Sequence, residues 1–258
     1  MDGIDGVLLD IDGVLVVSWE QIPGAAQTVR WLRARGIPFR LITNTTTHSR
    51  LELAGTLRDA GIDVDGDDVV TAVVMTGSYL RSHHPGEKVF LLSDGDPTDD
   101  LSEVQLVEEG ADVVVIGGAG VDFSYERLNR AFAMVMDGAT LVGMHRNMYW
   151  RTKDGLKLDG GAFLVGLEEA TGRKAEVCGK PSPTFFREAV GMVGTAPSRT
   201  AMVGDDIVND VLGAQAVGLV GILVRTGKFL PTDLERASDK PDHVIDSIAD
   251  LPRSLRPS

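Results

Sequence analysis

The chain has 258 residues, 43% of them hydrophobic and only 5% aromatic, enough for one large aliphatic core or a core with a second lobe. A net charge of −13, with no lysine or arginine run, argues against nucleic acid and anionic membranes as partners. The single cysteine, Cys178, excludes an intrachain disulfide; with no basic residue in the first six positions and no uncharged run of transmembrane length, the expectation is a cytoplasmic protein.

Short apolar runs alternate with amphipathic stretches along the chain. Residues 7–9 read as a strand running into Asp10-Ile11-Asp12-Gly13, 24–35 as a helix stopped by Gly36, 38–43 as a strand, and 49–60 as a helix closed by Gly61. Strands follow at 89–92, 113–116 and 140–144, with helices at 75–82, 102–109, 125–136 and 162–170. A last unit has a helix at 183–193, a strand at 200–203, a helix at 209–217, and strands at 220–224 and 244–245. The tail, 252–258, is expected to be loosely held. This rhythm predicts an α/β fold with parallel strands and crossover helices.

Four polar clusters stand at predicted strand ends or helix starts. In 8–16, LLDIDGVLV, Asp10 and Asp12 share one face of a strand while Ile11 points to the other. Two such charges, roughly 5–6 Å apart, repel by about 3 kcal/mol at an effective dielectric near 20, so a cation or a proton has to compensate them. An Asp-Gly turn at a strand end is the plainer alternative. In 40–47, RLITNTTT, Thr43 offers a hydroxyl, and the N–H groups of Asn44 and Thr45 offer an anion nest; a helix-capping segment explains the same residues.

In 178–186, CGKPSPTFF, Ser182 and Pro183 read as N-cap and first helical residue. That puts Lys180 near the positive end of a helix dipole, unfavourable unless an anion such as phosphate is present. In 202–211, MVGDDIVNDV, the carboxylates of Asp205, Asp206 and Asp210 suit a hard cation such as Mg²⁺, although a carboxylate at a helix start is favoured anyway. The ends of parallel strands converge on one crevice. Acidic groups, a lysine, a threonine and a nest gathered there compose a phosphate–Mg²⁺ site, and the lysine and cation supply the positive charge that a chain of −13 otherwise lacks.

LLDIDGV, LITNTT, GKPSP and VGDDIVND, in this order, resemble the four motifs of the haloacid dehalogenase-like phosphatase superfamily. LVGMHRNMYWRTKDGLKLDGGAF resembles the branch, subfamily IIA, with an α/β cap between motifs two and three. The resemblance implies a doubly wound, Rossmann-like core from 1–70 and 179–258, with an inserted cap at 71–178. It implies Asp10 as nucleophile forming an aspartyl-phosphate and Asp12 as acid–base. Thr43, Asn44, Thr45 and Lys180 would hold the phosphoryl group. Mg²⁺ would sit on Asp10, the Asp12 carbonyl and Asp205, with Asp206 and Asp210 in support. His145 and Asn147, beside Arg146, are candidates for reading the substrate from the cap; a packed histidine is an equal reading of His145. The acidic run at 93–100 reads as a solvated loop with a helix start. The expected activity is hydrolysis of small phosphorylated metabolites by a chain that the branch allows to be a homodimer. A phosphotransferase or mutase, and a non-catalytic Mg²⁺ or phosphate-binding module, are the alternatives.

Overall fold

Every residue of the strand Gly6–Asp10, GVLLD, is buried. Such a run fits a strand covered on both faces, as in parallel sheets flanked by helices. The structure, a computed structural model, describes residue 1 and residues 3–152 and 155–255, which form two compact units. The first comprises Met1–Thr43, Arg50–Val70 and the chain from Lys180 onward; the second comprises Asn44–Ser49 and Thr71–Gly179.

The sheet of the first unit has six strands in the order His243–Ile245, Val220–Val224, Thr200–Gly204, Gly6–Asp10, Phe39–Thr43 and Val69–Thr71. Gly6–Asp10 pairs in parallel with both neighbours: Leu9 lies opposite Val203 on one side and Leu41 on the other. The chain leaves this central strand for one neighbour, Phe39–Thr43, and returns much later to the other, Thr200–Gly204. The carboxyl end of Gly6–Asp10 is therefore a topological switch point, where open α/β sheets bind ligands. One face is covered by the helix Ala25–Ala34, through Ala25, Val29 and Leu32, and by Leu53 and Leu57 of Arg50–Asp59. The helix Pro183–Val193 starts with proline in its first turn, ends at Gly194 (φ 78°), and buries Phe185, Phe186 and Ala189.

In the second unit five parallel strands run in the order Glu176–Val177, Thr140–Gly143, Val113–Ile116, Lys88–Leu92 and Gln105–Leu106. Alternation sorts their side chains between two cores. Val89, Val113, Val115 and Val142 pack with Ala72, Val73 and Leu80 of the helix Ala72–His83. Phe90, Leu92, Val114, Ile116 and Leu141 pack with Ala131 and Val135 of Tyr125–Met136 and Leu164 and Leu167 of Gly160–Thr171. Tyr125–Met136 begins where Ser124 accepts the Arg127 N–H at 3.2 Å.

The chain is an α/β protein with parallel sheets, as the sequence predicts, but several elements differ. The helix expected at 102–109 is absent: a 3-10 turn, Thr98–Leu101, leads into the edge strand Gln105–Leu106, and the Val107 N–H bonds the Val89 carbonyl at 2.9 Å. The apolar residues here serve the turn and the edge strand: Leu101 is buried, and Val104 packs against the same core. An antiparallel hairpin, Tyr149–Thr152 with Gly155–Leu158, occupies a stretch with no assigned element. The tail expected to be loose begins as a helix, Leu251–Ser254, with Leu251 and Leu255 in the core; 256–258 lie outside the described residues. No helix among the described residues is long and apolar enough to cross a membrane.

Candidate active site

Asp10 ends the central strand and is buried. Ile11 turns into the core, and a turn closed by the Gly13 N–H on the Val16 carbonyl, at 2.7 Å, carries Asp12 to an exposed position. Gly13 is required there: its φ is +82°, and a Cβ would stand 2.0 Å from Asp205 Oδ2.

Lys180, just ahead of the helix Pro183–Val193, is buried, with Nζ 2.7 Å from Asp10 Oδ1 and 2.6 Å from Asp210 Oδ1. Burial works to lower its pKa, but Asp10 and Asp210 outweigh that effect and raise it, so the ammonium stays charged. The anion that its place near a helix start called for is therefore supplied first by two side chains of the protein itself. Asp210 is pushed up to about 6, by burial first, with Lys180 opposing and Asp10 and Asp206 adding to the rise.

Asp205 follows the strand Thr200–Gly204 and is buried. Its Oδ2 accepts the Lys228 N–H at 2.6 Å, while its Oδ1 is buried with no hydrogen-bond partner. Burial, then Asp10 and Asp210, push its carboxyl up to about 8. Oxygens of Asp10, Asp205 and Asp210 all lie within 4.8 Å of one another. An orphaned buried oxygen beside two further carboxylates is costly as it stands, and it is the donor set that a hard divalent cation completes. The residues fit such a cation.

Asp206 has a local task. Its Oδ1 accepts the N–H groups of Val208 and Asn209, at 3.0 and 2.9 Å, and its Oδ2 accepts the Asn209 amide at 2.8 Å. It thereby caps a stretch of π-helix, Ile207–Leu212, from which Asp210 projects back to accept the Asp206 N–H at 3.1 Å. Thr43 is buried at the end of the strand beside Asp10. Asn44 and Thr45, directly after it, group with the second unit. There the Asn44 amide donates to Asn147 Oδ1 over a long 3.5 Å. His145 is buried, and its Nδ1 accepts the Asn147 N–H at 3.2 Å, so this ring is packed and committed to a structural bond.

The sequence reading missed Lys228. Its loop is clamped to the Asp12–Gly13 turn: Thr226 Oγ1 donates to the Gly13 carbonyl at 2.5 Å, and a Cβ on Gly227 would lie 2.4 Å from the Gly13 Cα. Lys228 itself is exposed. Enough protein still surrounds it for desolvation to be the largest single effect, lowering its pKa; Asp10, Asp205, Asp210 and Asp206 together reverse this and raise it. Desolvation likewise lifts the Asp12 carboxyl, exposed as that residue is, against the fields of Lys228 and then Lys180. The signal was available: Thr-Gly-Lys follows a predicted strand, as the other clusters do.

Two family models match the chain, one described as haloacid dehalogenase-like hydrolase over residues 7–107 and one as HAD-hydrolase-like over 177–251. The human haloacid dehalogenase-like hydrolase domain-containing protein 2 is 37% identical over 252 residues, covering 95% of this chain and 96% of the relative. The human phospholysine phosphohistidine inorganic pyrophosphate phosphatase is 36% identical, covering 96% and 93%. Among solved structures, a 4-nitrophenylphosphatase from Thermotoga maritima superposes with a TM-score of 0.91 at 30% identity, covering 97% of each chain. NagD from E. coli K-12 superposes with a TM-score of 0.88 at 28% identity, covering 96% of this chain and 98% of that one.

Proposed function

The chain belongs to the haloacid dehalogenase-like hydrolases, and on that footing we propose that it is a Mg²⁺-dependent phosphatase of small phosphorylated metabolites, cleaving phosphomonoester, phosphoanhydride or phosphoramidate bonds. One observation carries this reading: Lys180 clamped between Asp10 and Asp210, at 2.7 and 2.6 Å, beside the unpartnered Oδ1 of Asp205. The phosphatase names of one relative and one structural neighbour support it.

Asp205, Asp10 and the Asp12 carbonyl are the proposed ligands of Mg²⁺, with Asp210 and Asp206 fixing the loop that carries Asp205. When bound, the cation neutralises phosphoryl oxygens and the crowded carboxylates. Lys180, Thr43 and the N–H groups of Asn44 and Thr45 orient the phosphoryl group so that phosphorus lies in line with an Asp10 oxygen. That oxygen attacks, the bond from phosphorus to the leaving atom breaks, and Asp12 gives its proton to the leaving atom. A carboxyl lifted by desolvation keeps its proton to higher pH than an ordinary one, which suits the acid role. In the second half Asp12 takes a proton from water, the water oxygen attacks phosphorus, and the phosphorus–Asp10 bond breaks to release phosphate. Both aspartates return to their starting states.

Substrate choice is assigned to the second unit, acting as a cap. Asn147 is the better of its two candidates, because the His145 ring is buried and bonded. The native chain should release phosphate from p-nitrophenyl phosphate with Mg²⁺ and stop when the metal is chelated. Asp10→Asn should lose at least about a thousandfold in turnover. Full activity in that variant overturns the nucleophile assignment.

A further inference from the structure

Lys180 is buried and its charge is answered by two carboxylates of the protein. Lys228 is in a different situation. Its backbone is pinned: its N–H bonds Asp205 at 2.6 Å, and the preceding Thr226 and Gly227 are locked onto the Gly13 turn. Its side chain is exposed and forms no ion pair or hydrogen bond among the described residues. A flexible ammonium is thus held on a rigid base beside buried carboxylates, in a protein of net charge −13, without being used to pair any of them.

The side of the site is also defined. The loop is fastened to the residue after Asp12, with Thr226 on the Gly13 carbonyl and Gly227 against the Gly13 Cα. Asp12 is the group that meets the leaving atom in the mechanism above.

We propose that Lys228 is a substrate-binding residue that contacts a second anionic group on the leaving-group side, so that the site favours phosphorylated compounds whose leaving group is itself negatively charged. The assignment rests on the phosphatase reading and adds a charge requirement to it. An exposed ammonium meeting a phosphate oxygen gives a charge-assisted bond; its loss should cost about tenfold or more in affinity.

The test measures binding and turnover separately. Inorganic phosphate and inorganic pyrophosphate are titrated by calorimetry, at fixed free Mg²⁺, into the Asp10→Asn chain and into the same chain carrying Lys228→Met or Lys228→Arg. The preference for pyrophosphate over phosphate should fall about tenfold or more with Met and return with Arg. In the otherwise native chain, Lys228→Met should raise KM for pyrophosphate more than KM for p-nitrophenyl phosphate, and Lys228→Arg should reverse that difference. An unchanged preference, equal weakening of both anions, or no preference in the starting chain each overturns the assignment. Hydrolysis of p-nitrophenyl phosphate by the native chain reports on the phosphatase reading independently. Its absence fails that reading, whereas its presence with an unchanged preference fails only the role of Lys228.

Discussion

At the scale of single residues, the consequential contact is Lys180 between Asp10 and Asp210. All three are buried, so removing the cation leaves two carboxylates in a poorly solvated place. Breaking a buried ion pair from one side costs about 3–5 kcal/mol, well above what a surface pair contributes. Lys180→Met is expected to lower unfolding free energy by about that amount in urea titrations. Adding Asp210→Asn should restore part of it; a Lys180→Met chain of native stability would contradict the buried pair. The sequence exposed Lys180, Asp10, Asp205 and Asp210 because each departs from a pattern: a charge ends an apolar run, or a lysine precedes a helix start. It hid what those residues do for one another, since a lysine at 180 and carboxylates at 10 and 210 are joined only by the sheet order. Lys228 had the position of the other clusters, just after a predicted strand, but its meaning comes from the clamp of its loop on Gly13, which only the fold displays.

Among elements, the loops after parallel strands carry the site, and their glycines decide how closely they approach. Gly227 has φ +65°, and a Cβ there would stand 2.1 Å from Asp205 Oδ2 and 2.4 Å from the Gly13 Cα. Gly138, in the second unit, has φ +113° but nothing within 4 Å of a Cβ. Both positions strain an L side chain, by about 1–3 kcal/mol, yet only the first also forces two chain segments apart. Gly227→Ala should therefore reduce p-nitrophenyl phosphate turnover by about tenfold or more, whereas Gly138→Ala should lose a little stability and keep its turnover. Equal turnover in the two variants would remove the clamp from the account. Long, strongly patterned elements were readable: Tyr125–Met136, Pro183–Val193 and Val220–Val224 all have the expected bounds. The short ones were not. Gln105–Leu106 is two exposed residues on a sheet edge, and Ile207–Leu212 is a π-helix that opens on the Asp206 cap of the Val208 and Asn209 N–H groups. Neither edge pairing nor a side-chain cap leaves a period in the sequence.

At the scale of the molecule, the two units have separate hydrophobic cores, and each carries a different burden of charge. The first crowds the acidic groups, so whatever binds there stabilises that unit by mass action. Mg²⁺ at a hundred times its dissociation constant contributes about 2.7 kcal/mol, enough to raise a melting temperature by several degrees. A chelated sample should therefore melt lower than one with Mg²⁺, and Asp205→Asn should abolish most of the difference. In the second unit the proton-sensitive group is a buried histidine. His145 is buried, its Nδ1 is an acceptor for the Asn147 N–H, and Nε2 is 3.8 Å from Asp159 Oδ1, too far for a hydrogen bond. Burial lowers its pKa below the usual 6.5, more than Asp159 raises it. Between the folded pKa and 6.5 the unfolded chain binds the extra proton, so stability rises with pH across that window. The contribution is whole above 6.5 and is lost as the pH falls through the folded value. Calorimetric scans of the native chain from pH 7.5 to 5 should thus show the second unit's transition moving down, and His145→Gln should flatten the part of that slope just below 6.5. Mg²⁺ should not shift this transition, because its proposed ligands all belong to the other unit. One transition that answers equally to metal and to His145 would mean that the two cores melt as one.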